Sequence, residues 1–163
     1  MPARGRLDVM ITAWRIVKAR HAATAFDGEG ARLLGGRWNS PGSPVVYTAE
    51  SAALAALEML VHLGRGASLP AYVTISCSFA PALVSHLDRS RLPENWRSYP
   101  APPSLQLIGD EWLKSASSAV LEVPNAIIVT ESTYLLNPRH ADFASMRISE
   151  PQRFEFDLRL LRG

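Results

Sequence analysis

One charged residue, Glu58, lies in an otherwise apolar segment, Ser51–Leu63, that is rich in alanine and leucine. A helix that is apolar on all sides is usually buried, and a buried carboxylate is costly unless it is paired or hydrogen-bonded. The loop just before the predicted strand offers Arg37 as a partner, and the strand ends in Tyr47. The pattern predicts that an acid, a guanidinium and a phenol converge where a loop, a strand and a helix meet.

Two interpretations of these three residues stay open at this point. An ion pair between Arg37 and Glu58 could simply tie the loop to the helix, because structural ion pairs also perturb pKa values without catalysing anything. Alternatively, the acid serves chemistry, and a metal-free hydrolase would be one such function. Arg32 competes with Arg37 as the ligand-binding arginine.

The elements that would position these residues follow one another closely. Glycine and proline residues predict tight turns at Gly35–Gly36 and Pro41–Gly42, and Pro44–Tyr47 predicts a buried strand. Ser51–Leu63 predicts a helix that Gly64 closes, with Ser51 or Thr48 as its N-cap.

The remaining pattern mixes short strands with few helices. Lys18–Leu34 has no clear period and predicts a loop that crosses the site, and Ser104–Ala116 predicts an amphipathic helix in which Gly109 is unfavourable. The fold class is therefore α+β, a single domain with two packed, mostly antiparallel sheets flanked by helices. The predicted strands are Met10–Val17, Ala71–Phe79, Val84–Leu87, Val120–Val123, Ala126–Thr130, Arg147–Ile148 and Arg153–Leu160.

Composition narrows the class of protein. The 163 residues, 47% of them hydrophobic and 20% charged, fit one globular domain, and the net charge of +2 does not require a nucleic-acid-binding surface. A lone Cys77 excludes a disulfide framework. The absence of a transmembrane-length apolar run or a signal-peptide core favours the cytoplasm. No HExxH, GxGxxG or Walker pattern occurs, so we expect no metal, Rossmann or P-loop site.

Several motifs together resemble the RES-domain family. They are Gly36–Gly42 (GRWNSPG), Val45–Tyr47 and Leu57–Leu63 (LEMLVHL), and the likeness runs from Trp14-Arg15-Ile16 to Tyr134–Pro138. The resemblance implies a RES domain over residues 10–163, with 1–9 as a short N-terminal extension and Met10 as the functional start. Members of this family are toxins of Xre–RES toxin–antitoxin pairs that act on NAD, and their fold is similar to that of ADP-ribosyltransferases of the diphtheria-toxin kind.

The resemblance assigns roles residue by residue. The implied catalytic residues are Glu58, Arg37 and Tyr47. In these roles Glu58 stabilises an oxocarbenium-like ribose, Arg37 binds the diphosphate and Tyr47 stacks on nicotinamide. Arg37, Tyr47, Ser51 and Asn125 are the implied NAD-binding residues, and no metal is expected. Asn125 departs from the family, which usually has serine there, so a second hypothesis is an NAD-binding module without turnover.

The resemblance also implies substrate and partners. NAD+ is the expected substrate, and water, phosphate or a protein side chain would accept the ADP-ribosyl group. The expected partner is a neutralising Xre-type helix-turn-helix antitoxin that covers the NAD cleft. This chain itself is expected to contact neither nucleic acid nor membrane, and the family pattern is compatible with a homodimer within a larger toxin–antitoxin complex.

Overall fold

The computed structural model describes residues 9–63 and 69–162. Within these residues, three α-helices and eight strands follow one another, with short 3-10 turns between them. The helices are α1 (Glu29–Leu34), α2 (Ala52–His62) and α3 (Pro103–Ser115). The strands are β1 (Ile11–Lys18), β2 (Val46–Ala49), β3 (Tyr72–Phe79), β4 (Val84–His86), β5 (Val120–Pro124), β6 (Ser132–Leu136), β7 (Arg147–Ile148) and β8 (Gln152–Phe154).

All eight strands belong to one sheet, in the order β4-β5-β6-β2-β1-β3-β7, and β8 also pairs with β3. Only β4 and β5 run parallel, and the other pairs are antiparallel. A single residue pair, Trp14 opposite Ala49, joins the half that contains β2 to the half that contains β1. The predicted mixture of helices with mostly antiparallel strands is confirmed, whereas two separate sheets are not, because this junction connects them.

Helix α2 begins where the sequence predicts. The Ser51 side chain accepts a hydrogen bond from the Leu54 amide, so Ser51 is the N-cap. The expectation that this helix is buried on all sides was wrong. Only Leu54 and Ala55 are buried in it, Val61 is 61% exposed, and the helix packs one face on β1 and β2. The predicted closure at Gly64 lies outside the described residues.

Three other predictions of local structure were wrong in part. Lys18–Leu34 contains a 3-10 turn, Ala19–Thr24, and helix α1 instead of a loop. Ala126–Thr130 is a turn, because the Asn125 side chain accepts hydrogen bonds from two following amides and bends the chain. The final predicted strand ends at Phe154 and is followed by a 3-10 turn that the Asp157 side chain caps.

Helix α3 packs through Leu105, Ile108 and Trp112 into a core cluster. Trp38, from the turn before β2, lies in the same cluster and is 2% exposed. This burial anchors the turn and leaves its neighbour Arg37 half-buried at the surface. Among residues 9–63 and 69–162, no helix has the length and apolar character to cross a bilayer.

Candidate functional site

Glu58 lies on α2 and is half-buried. Its Oε1 accepts a hydrogen bond of 2.7 Å from Asn125 Nδ2. No direct ion pair joins Glu58 to Arg37 in the described part of the chain. The acid therefore obtains its hydrogen bond from a neutral amide, and the structural Arg–Glu pair considered above does not form.

Asn125 follows β5 and is only 1% exposed. Its Nδ2 donates to Glu58 and, at 3.0 Å, to Thr133 Oγ1, while its Oδ1 accepts from the amides of Ile127 and Ile128. A carboxamide has two N–H donors and two acceptor lone pairs, so these four bonds use its whole capacity. In this arrangement Asn125 orients Glu58 and has no hydrogen bond left for a ligand; direct NAD binding by Asn125 stays a prediction.

Arg37 is held on one side of its guanidinium. Its Nη1 donates to the carbonyl oxygens of Trp96 at 2.8 Å and Ser98 at 3.2 Å. Burial lowers the pKa of Arg37, whereas the nearby Glu58 carboxylate and, to a smaller extent, Tyr47 raise it. Arg37 is therefore within electrostatic reach of both predicted partners. Its Nε and Nη2 have no hydrogen-bond partner among the described residues, so these donors could bind an anion.

Arg32, the alternative to Arg37, is engaged on its own helix. Its Nε lies 2.8 Å from a carboxylate oxygen of Glu29, one helical turn earlier. An exposed pair at this spacing contributes little stability, but it occupies the guanidinium. The geometry therefore favours Arg37 as the arginine of this site.

Tyr47 uses its hydroxyl inside the protein. The hydroxyl accepts from the Trp38 amide at 3.1 Å and donates to Asn39 Oδ1 at 2.6 Å. Burial raises the pKa of Tyr47, so the phenol stays neutral at physiological pH. Tyr47 is half-buried, and it fixes the turn that carries Arg37. Stacking on nicotinamide stays a prediction.

The Ser51 hydroxyl has two hydrogen-bond partners within the protein. Besides capping α2, its hydroxyl donates to Glu131 Oε1 at 2.6 Å. The N-cap interpretation is confirmed. A contact with NAD stays a prediction, because this hydroxyl proton is already used within the protein.

Arg15 is a candidate that the sequence interpretation missed. Its Nη1 donates to the Tyr47 carbonyl at 2.9 Å, while its Nε is enclosed and has no hydrogen-bond partner in the part of the chain that the structure describes. Burial lowers the pKa of Arg15, and the Asp27 carboxylate acts in the opposite direction. A buried donor without an acceptor is costly, and an anion bound beside it would remove that cost. The available signal was a charged residue between Trp14 and Ile16 in the first strand.

Other features lie apart from these side chains. A surface cavity of about 390 Å³ is formed between β4 and α3, and Arg91 and Glu111 at its edge pair with each other at 2.7 Å. In the described part of the chain, no group of three or more histidine, cysteine or acidic residues could hold a metal ion.

Comparisons with known proteins agree on one family. Residues 12–157 match the model of the RES domain. A protein named Toxin Res from Yersinia enterocolitica is 41% identical over 148 residues, which cover 90% of this chain and 97% of that protein. The Prs ADP-ribosylating toxin of a Sphingobium strain is 33% identical over 154 residues, covering 91% and 96%.

A solved structure shows the same fold. It is described as the crystal structure of the M. tuberculosis MbcT–MbcA toxin–antitoxin complex. One of its chains superposes with a TM-score of 0.69 and 19% identity, and the match covers 90% of this chain and 85% of that one. At this level of identity the likeness concerns the fold alone.

Proposed function

The chain belongs to the RES domain family, and we propose that it is a toxin that cleaves NAD+ at the bond between nicotinamide and ribose. The observation that carries this proposal is the state of Glu58. Glu58 is half-buried, its carboxylate is oriented by Asn125 and lies within the electrostatic reach of Arg37, and no ion pair with another described residue neutralises it. Such a carboxylate is suited to stabilise positive charge on a bound ligand.

The chemistry of this bond needs few protein groups. Cleavage develops positive charge over the ribose C1′ and ring oxygen, and the nicotinamide that leaves already carries positive charge, so it needs no general acid. Glu58 stabilises the developing cation. Arg37, with the partner-free Nε and Nη2, binds the diphosphate. Arg15, whose enclosed Nε lacks an acceptor, is a second anion ligand. Tyr47 and Ser51 complete the site beside them.

The fold supports this proposal at a coarser level. We infer an ADP-ribosyltransferase-like domain over residues 10–163, in which the junction between the two halves of the sheet corresponds to the meeting of two sheets. The relative named Prs ADP-ribosylating toxin supports NAD+ as the substrate. No metal is assigned to the reaction.

A protein partner follows from the proposed toxicity, because depletion of NAD+ would halt growth of the cell that makes the protein. We propose a cytoplasmic protein that an Xre-type helix-turn-helix antitoxin neutralises, within a complex in which the toxin could also form a homodimer. The antitoxin would carry the DNA contacts, and this chain would contact neither nucleic acid nor membrane. The similar fold in a toxin–antitoxin complex is compatible with this assignment.

The test is to incubate the purified protein with NAD+ and to follow free nicotinamide, with and without phosphate. Release with ADP-ribose as the second product would identify a glycohydrolase, and a phosphorylated sugar would identify a phosphorylase. Transfer to a protein would identify an ADP-ribosyltransferase. The proposal is wrong if the active-site acid can be changed without affecting release.

A second candidate is a module that binds NAD+ without turnover. It is favoured by Asn125, which stands where the family usually has serine and which cannot lose a proton as a serine hydroxyl can. Calorimetric binding of NAD+ with no release of nicotinamide would select this candidate.

A further inference from the structure

Helix α3 contacts the turn that carries Arg37 through Gln106, Gly109 and Asp110, which lie within little more than one helical turn. Gln106 Nε2 donates to the carbonyl oxygens of Gly36 and Asn39, at 3.1 Å each. Asp110 Oδ1 accepts from the Ser40 amide at 2.9 Å. These contacts fix the backbone on both sides of Arg37, although the helix lies about seventy residues later in the chain.

Gly109 lies between these two residues and allows the close approach. A Cβ atom at position 109 would lie only 1.6 Å from the carbonyl oxygen of Trp38. The backbone of α3 therefore rests directly on the turn, which explains why a residue unfavourable in helices occupies this position. Gln106 and Asp110 can reach the turn only because Gly109 has no side chain.

The geometry points to Gln106 and Asp110 as positioning residues that hold Arg37 in the conformation that binds the diphosphate of NAD+. This inference rests on the proposed function. The turn is short, irregular and glycine-rich, so without these bonds it would have many backbone conformations. Arg37 would then have to be ordered each time a ligand binds. The loss would appear in substrate affinity, since Glu58 is held separately by Asn125.

Three variants test the inference. Gln106→Glu keeps the shape of the side chain but sets a carboxylate oxygen against two carbonyl oxygens. Asp110→Ala removes the acceptor for Ser40, whereas Asp110→Asn retains it. We expect KM for NAD+ to rise roughly 2- to 10-fold in Gln106→Glu and Asp110→Ala, with little change in kcat, because Arg37 must then be ordered when the ligand binds. Asp110→Asn should restore KM.

Lys114→Gln is the matched control, because Lys114 is exposed on the same helix. We expect this variant to have the kcat and KM of the wild-type protein. Hydrogen exchange of the Ser40 amide gives a readout without NAD+. It should accelerate in Asp110→Ala and stay slow in Asp110→Asn. Circular dichroism of each variant shows whether it has folded, and Gln106→Glu, which leaves Asp110 in place, keeps the inference testable if Asp110→Ala does not fold.

The outcomes separate this inference from the proposed function. If the wild-type protein neither binds nor cleaves NAD+, the proposed function is overturned. If the wild-type protein is active but folded Gln106→Glu and Asp110→Ala have the wild-type KM, the positioning role is overturned while the proposed function stands. The same holds if these variants lose activity only because they unfold.

Discussion

The two sides of the candidate site hold their functional side chains in different ways. On the Glu58 side, a regular helix presents the acid, and one buried amide with all four hydrogen bonds in use orients it. On the Arg37 side, an irregular turn presents the guanidinium, and several contacts from α3 and the carbonyl oxygens of Trp96 and Ser98 share the task. A single substitution should therefore reduce activity more on the first side than on the second.

The largest effect is expected for Glu58→Gln. The amide keeps an oxygen that can accept from Asn125, so the protein should fold, but it has no charge to stabilise the oxocarbenium-like ribose. Removal of an electrostatic stabiliser of this kind typically lowers the rate by roughly 10²–10³-fold. Nicotinamide release and growth inhibition in cells measure this loss. Wild-type toxicity from a stably folded Glu58→Gln variant would exclude Glu58 from the mechanism.

The next effect concerns the residue that orients the acid. Asn125→Asp is isosteric and keeps the acceptor for Ile127 and Ile128, but it sets a second carboxylate 2.7 Å from Glu58. Like charges this close disfavour double ionisation, so the pair should share a proton near neutral pH. We expect nicotinamide release at pH 7 to fall about tenfold or more and to recover as the pH rises.

Asn125→Ser is the control for this pH profile, because it replaces the amide with a hydroxyl and introduces no charge. Its rate should change without acquiring the new dependence on pH. A flat profile for Asn125→Asp, parallel to that of the wild-type protein, would mean that Asn125 does not act through Glu58.

These two predictions mark where sequence interpretation succeeded and where it stopped. The helix around Glu58 and its cap at Ser51 follow local patterns, so both could be predicted. The bond from Asn125 joins residues 67 positions apart, and the sequence offered Arg37 as the nearer partner instead. Gly109 appeared only as an unfavourable helical residue, because its value lies in a contact with a distant turn. Local patterns predict elements, whereas such distant contacts depend on how the elements pack.

On the other side of the site, Arg37→Ala should weaken NAD+ binding and change kcat little. The variant loses charge-assisted bonds to the diphosphate, which corresponds to roughly 10- to 30-fold in Kd by calorimetry. Arg32→Ala is the matched control, since Arg32 pairs with Glu29 on the same helix and should leave Kd unchanged. If Arg32→Ala weakened NAD+ binding and Arg37→Ala did not, the anion-binding role would belong to Arg32.

The smallest effect is expected at Arg15, which connects the two sides through its bond to the Tyr47 carbonyl. Arg15→Lys replaces the enclosed Nε, which has no acceptor among the described residues, with a methylene, and the lysine ammonium can still reach toward that carbonyl. The variant should therefore fold with little loss of stability, because removal of an unsatisfied buried donor offsets the weaker bond. Its Kd for NAD+ should rise by about fivefold. Pyrophosphate should raise the Tm of the wild-type protein more than that of the variant, since a ligand stabilises only the state that binds it. If pyrophosphate raised the Tm of both proteins equally and the Kd were unchanged, Arg15 would only fix Tyr47 within the strand. Binding of the diphosphate would then depend on Arg37 alone.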